Sequence, residues 1–218
     1  MEGVPVVTIA RHFGAGGDSV GKMVADRLHA DFLGPQLIDE VAHRLELPKE
    51  EVEAADEQPG SFLQRLLIAL AAASPEHAVT AESPTWTPPY TDPQSDPRRA
   101  VLEYTQQVIT EAARSGNVVI VGRGGAYVLH DLPGVLHVFL RADESTRVKA
   151  VMEREHIGQE DARRRVKQTD ENRRAYIRQV YGHTWDLPSH YDLVVDTGRL
   201  GYDATVDAIL AALKGRTR

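Results

Sequence analysis

A glycine-rich turn set between a branched apolar run and an amphipathic segment constrains this chain more than any other feature. Val6-Val7-Thr8-Ile9-Ala10 is short, apolar and β-branched, the pattern of a strand buried on both faces of a parallel sheet. Arg11-His12-Phe13-Gly14-Ala15-Gly16-Gly17-Asp18-Ser19 follows, and apolar residues then recur at Val20, Met23, Val24 and Leu28 with helical spacing. Glycines at 14, 16 and 17 let the backbone curl so that several amide N–H groups converge on an anion at the positive end of the helix. The segment reads as a phosphate-binding loop, with Gly14, Ala15, Gly16, Gly17, Asp18 and Ser19 as candidate contacts.

Against the pattern G-x-x-x-x-G-K-[ST], Gly16 is in register, while Arg11 stands at the first glycine and Gly17 at the lysine. Ser19 lies one position past the pattern's hydroxyl residue and is the candidate Mg²⁺ ligand. Asp18 sits where its charge can repel phosphate. Two basic residues can replace the lysine: Arg11 at the strand end, and Lys22, whose side chain leans back toward the helix N-terminus. Arg11 is favoured. A plain strand-to-helix turn is the competing reading, so the rest of the chain has to decide.

With 218 residues, 42% of them hydrophobic and 26% charged, the chain has room for one sizeable core or a core with small subdomains. It contains no cysteine, which excludes a disulfide framework, a thiolate nucleophile and a cysteine zinc site. No leader-like segment is seen and no apolar run approaches the ~20 residues of a membrane span, so a cytoplasmic protein with no membrane partner is expected. A net charge of −7 argues against a nucleic-acid partner. Charge is uneven, however: from Arg141 to Arg178 nine arginines and two lysines face eight acidic residues.

Further along, Phe32-Leu33 is a short strand candidate, and Leu37, Ile38, Val41, Ala42 and Leu45 share a helix face that Pro48 interrupts. Ser61 with Gln64 makes a capping box ahead of Phe62, Leu63, Leu66, Leu67 and Leu70. That leucine face packs in the core or against a second copy, making a homodimer possible. Residues 74–97 hold six of the twelve prolines, with Trp86 and Tyr90, and read as a lid-like or disordered insertion. A helix with Val101, Tyr104, Val108 and Ala112 in register stops at Gly116. Val118 to Val121, Val135 to Leu140 and Leu193 to Val195 are buried strands, and Gly122-Arg123-Gly124-Gly125 follows the first of them as the glycine loop follows Val6 to Ala10. Strands alternating with helices predict an α/β fold, a parallel sheet of about five strands with helices on both faces and ligands beyond the carboxyl ends.

Four segments, in order and at these spacings, resemble the cytidylate kinase-like branch of the P-loop nucleoside monophosphate kinases: Ile9 to Gly17, Val119 to Gly124, Asp170-Glu171-Asn172-Arg173-Arg174, and Tyr191 to Thr197. The resemblance covers nearly the whole chain. It implies a three-layer P-loop core (1–34, 98–155 and 190–218), an acceptor-binding subdomain (35–97) and an arginine-bearing lid (156–189). ATP and Mg²⁺ are the implied donor pair and a nucleotide such as CMP or dCMP the implied acceptor.

By position, Arg123 with Gly124 matches the grip on the acceptor phosphate, which suits a bidentate guanidinium. Arg173 and Arg174 match the lid arginines, with Asp170 beside them, and positive charge closing over the transferring group is the main catalytic device phosphoryl transfer offers. Arg11 completes the catalytic set. Arg178 fits as well as these, whereas Arg163, Arg164 and Arg165 read as a solvated, ion-paired face. Trp185 reads as an anchor for the lid base.

Two positions depart from the resemblance: Val121 and Gly34 stand where cytidylate kinases carry acidic residues. Asp39 and Glu40 are candidates to recover those contacts, Asp39 as an acceptor ligand, or else helix-capping residues. The nine histidines show no metal-ligand spacing. Two alternatives stay open: a module that binds a nucleotide or phospho-ligand without turnover, and a kinase for a non-nucleotide acceptor.

Overall fold

The computed structural model describes residues 4–34 and 97–216. Five strands, β1 (Val6–Arg11), β2 (Asp31–Leu33), β3 (Val118–Val121), β4 (Val135–Arg141) and β5 (Leu193–Asp196), form one sheet in the order β2-β3-β1-β4-β5. Every pairing is parallel, with Val6 opposite Val118 on one side and Val135 on the other. The helices are α1 (Gly17–Leu28), α2 (Pro97–Ser115), the single turn α3 (Gly125–Val128), α4 (Glu144–Glu155), α5 (Gln159–Tyr181) and α6 (Thr197–Arg216). This is the α/β architecture that the strand and helix alternation predicts.

The continuous apolar strands are explained by the two faces they serve. Val6, Val118, Ile120 and Val135 pack with Val108 and Ile109 of α2, whereas Val7, Ile9, Val119, Leu136 and Val138 pack with Val20 and Val24 of α1 and Val206 and Ile209 of α6. Adjacent residues thus belong to opposite layers, as a period of two demands. Val7, Ile120 and Val138 are fully buried, and each contributes about 1.5–3 kcal/mol by leaving water. Close approach is needed at Gly21, where a Cβ would stand 2.6 Å from a Val121 methyl carbon.

α2 ends at Ser115 with Gly116 at φ 74°, as the glycine stop predicts. α5 is one 23-residue helix packed on α4, and the sequence between Gly158 and Gly182 therefore supplies a continuous arm over the carboxyl end of the sheet. Among the described residues, no helix is long and apolar enough to cross a membrane. The helices expected around 37–45 and after Ser61, the proline-rich segment up to residue 96, Asp39, Glu40 and the leucine face at 63–70 lie outside the described residues.

Candidate functional site

β1 and β3 are neighbours in one parallel sheet, so the segments leaving their carboxyl ends lie side by side. Both segments are built alike. Gly14 (φ 83°) and Gly16 (φ 76°) turn the first into α1, and Gly122 (φ 84°) and Gly124 (φ 72°) turn the second into α3. The first loop leaves the amides of Gly17, Asp18 and Ser19 at the start of a 12-residue helix, where no intrahelical acceptor exists for them. A phosphate fits this donor set by charge and by the absence of bulky side chains at 14, 16 and 17.

Arg11 is the last residue of β1, and its side chain runs across both loops. A Cβ at Gly17 would stand 2.4 Å from Arg11 Cγ, and one at Gly122 would stand 2.2 Å from Arg11 Nη1. The guanidinium also lies 3.5 Å from the Asp18 carboxylate, Nη2 to Oδ1. Lys22, the other basic candidate, is solvent-exposed on α1. Ser19 is exposed as well, with its hydroxyl on the first turn of that helix.

Arg123 occupies the left-handed region at φ 53°. The other non-glycine residues with positive φ are His29 and His156, which end α1 and α4, and Asn117, which follows the Gly116 stop. Arg123 and Gly124 are the two left-handed residues of the turn that the Gly125 amide closes on the Gly122 carbonyl at 2.9 Å, and the arginine carries there a strain of about 1–3 kcal/mol of the kind that concentrates at binding sites. Arg11, Arg123, Gly124, Arg173, Tyr176 and Trp185 share the wall of one small cleft of about 40 Å³. Burial pushes the Tyr176 hydroxyl well above the ordinary tyrosine range, Tyr181 adds to the shift and Arg123 opposes it, so the phenol stays protonated.

The three candidates on α5 have separate fates. Arg173 Nη1 donates to the Arg11 carbonyl at 3.1 Å, and its guanidinium lies 5.5 Å from the Phe13 ring centre. Arg174 turns instead to Asp186, at 3.2 Å, and to Trp185. Asp170 is buried: one oxygen accepts the Phe13 amide at 2.8 Å and the other pairs with Arg147 Nη1 at 2.5 Å. Its carboxylate is committed to holding the loop. Trp185 is buried edge-on against His12 and Phe139 at the foot of α5. Arg163, Arg164 and Arg165 carry ion pairs with Glu144 and Glu160, Asp161, and Glu155 respectively.

Arg147 and Tyr202 position the loop without any signature in the sequence, and Thr197, the last residue of the Tyr191 to Thr197 segment, joins them. Arg147 donates to the Phe13 carbonyl at 3.2 Å, and Gly14 lies so close to α4 that a Cβ would stand 2.7 Å from the Arg147 carbonyl oxygen. From α6, the buried Thr197 hydroxyl donates to the Ala15 carbonyl at 2.9 Å, and the Tyr202 ring rests on Gly16. The loop is therefore clamped from both flanks. His12 packs edge-on to Phe139 with its Nδ1 buried and without a hydrogen-bond partner among the described residues, and burial pulls its pKa below the ordinary histidine value.

The sequence profile of the cytidylate kinase-like family matches residues 6–199, a span that contains both glycine loops, α5 and β5. The chain belongs to the cytidylate kinase-like family. Among its relatives, the cytidylate kinase of Methanopyrus kandleri is 34% identical over 111 residues, covering 47% of this chain and 58% of that enzyme. The cytidylate kinase of Methanococcus vannielii is 30% identical over 106 residues, covering 48% of this chain and 61% of that enzyme. In both cases the chain spans less than two thirds of the relative's length.

Solved structures share the fold across nearly the full length. An uncharacterized protein from Eubacterium ventriosum superposes with a TM-score of 0.68 at 21% identity, covering 97% of this chain and 99% of that one. Shikimate kinase from Bacteroides thetaiotaomicron gives 0.54 at 14% identity, with 97% and 99% covered. Membership in the cytidylate kinase-like family does not restore the lysine of the phosphate loop, whose position is filled by Gly17.

Proposed function

We propose that this chain is an ATP-dependent phosphotransferase that moves the γ-phosphoryl group to a small acceptor, a nucleoside monophosphate such as CMP or dCMP. The observation that carries the reading is the placement of Arg11, whose side chain covers Gly17 of one loop and reaches Gly122 of the other. A guanidinium at that junction can contact the group in transit from either side, which is the task the absent lysine leaves open.

In this reading the backbone amides from Gly14 to Ser19 hold the donor phosphates. Arg123 and Gly124 take the acceptor phosphate, and Arg173 brings charge over the transition state from α5. Arg174 joins it only by leaving Asp186. Asp170 acts through Phe13 and Arg147 as a positioning residue. Mg²⁺, when bound, neutralises donor-phosphate charge, and the Ser19 hydroxyl is the ligand available for it on α1. Asp39 remains an acceptor-side candidate outside the described residues.

The test is ADP release from ATP and Mg²⁺ with CMP, dCMP, UMP, AMP and GMP, run beside Arg11→Ala. Turnover on one pyrimidine monophosphate that the substitution lowers by about 10²–10³ supports the reading. Nucleotide binding without turnover on any member of the panel refutes the monophosphate acceptor.

A further inference from the structure

Asp18 is the remaining anomaly of the donor loop. The pattern G-x-x-x-x-G-K-[ST] puts one positive charge and one neutral hydroxyl at positions 17 and 18, and a glycine at 11. Here Arg11 contributes the positive charge, Gly17 none, and Asp18 a negative one, so the three positions sum to zero where the pattern sums to one positive charge. The carboxylate is half-exposed, on the first turn of α1, and its contact with Arg11 is a loose 3.5 Å. It thus holds part of the charge of the guanidinium that donor phosphates would otherwise claim.

Bare polyphosphate meets this carboxylate as a like charge beside its principal cation. A divalent cation reverses the sign of the interaction, because the same carboxylate then faces positive charge and Arg11 is released to the phosphates. Among the described residues no group of three or more carboxylates and histidines could hold a metal by itself, and a divalent cation bound to a polyphosphate brings phosphate oxygens as ligands of its own.

We infer that Asp18 makes nucleotide binding conditional on the divalent cation, repelling the free polyphosphate and favouring its metal complex. The inference rests on the donor-phosphate reading above. It differs from a purely structural role for Asp18: losing an Arg11 anchor would weaken binding alike with and without metal.

The experiment is calorimetric titration of the full chain with ATP, once in EDTA and once with saturating Mg²⁺, for the wild type, Asp18→Asn and Asp18→Ser. The expected result is that both variants bind metal-free ATP more tightly than the wild type, and that the ratio of metal-free to Mg²⁺ Kd contracts by about tenfold, the effect of one partly screened charge. Ratios equal to that of the wild type, with Mg²⁺-ATP still bound, overturn the inference and leave the donor reading standing. A wild-type chain that binds ATP in neither buffer overturns both.

Discussion

Arg11 occupies the space that a side chain at Gly17 would need. The 2.4 Å separation between a Cβ at 17 and Arg11 Cγ means that a lysine at the pattern's position and an arginine at the end of β1 exclude each other. A lysine at 17 and the Arg11 side chain as placed therefore compete for one volume. Gly17 has ordinary helical backbone, so this exclusion rests on the side chain alone.

Arg11→Ala is expected to lower turnover by about 10²–10³, the scale for a single group aimed at transition-state charge. Gly17→Lys in the wild-type background drives the two side chains together and weakens Mg²⁺-ATP binding. Arg11→Gly combined with Gly17→Lys restores the common pattern at positions 11 and 17, with Asp18 unchanged, and binds Mg²⁺-ATP more tightly than Gly17→Lys alone. A double-mutant cycle on Kd measures the coupling, expected at about 0.5–3 kcal/mol for residues in contact. Additive effects would sink the exclusion argument.

Asp170 and Arg147 supply a prediction about stability. Both side chains are nearly buried, and Asp170 also accepts the Phe13 amide. Arg147→Met leaves that carboxylate without its cation and is expected to cost about 3–5 kcal/mol. Adding Asp170→Asn removes the stranded charge while keeping an oxygen for the Phe13 amide, and recovers part of the loss. Urea unfolding of the two variants decides it: no recovery in the double variant would mean that the pair is not the structural unit described.

The sheet was legible because parallel core strands are apolar on both faces and stand out as uninterrupted runs, as Val118 to Val121 does. Arg11, Gly17 and Arg123 were legible because glycines mark where the chain turns at a strand end. The clamp was not: Phe13 meets Asp170 across 157 positions and Ala15 meets Thr197 across 182, and no local pattern encodes such partners. Arg173 and Arg174 show the same limit on one helix. Successive residues point about 100° apart, so only the docking of α5 decides that the first meets the loop and the second Asp186.

Arg123 tests the acceptor side by itself. Its left-handed backbone suits arginine and lysine equally, so Arg123→Lys changes the head group without altering the strain. Lysine keeps the charge but loses the planar fork that holds a phosphate through two hydrogen bonds. The expected outcome of steady-state kinetics is an acceptor KM raised about tenfold or more with the ATP KM nearly unchanged. A rise in the ATP KM instead would place Arg123 on the donor.

His12 gives the loop a dependence on acidity. Burial of its ring, with Asp170 opposing, lowers its pKa in the folded chain below the model-peptide value of 6.5. As pH falls through 6.5 the unfolded chain takes up a proton that the folded chain still refuses, so the unfolded state binds more protons and stability declines with falling pH. The decline ends once the folded imidazole also titrates. His12→Phe keeps a ring against Phe139 and Trp185, and removes both the titration and the unpartnered Nδ1. Thermal midpoints at roughly pH 7.5 and pH 5.5, which bracket the ordinary histidine pKa, are expected to differ less in His12→Phe than in the wild type. Equal differences in the two proteins would show that the acid sensitivity of the fold lies elsewhere.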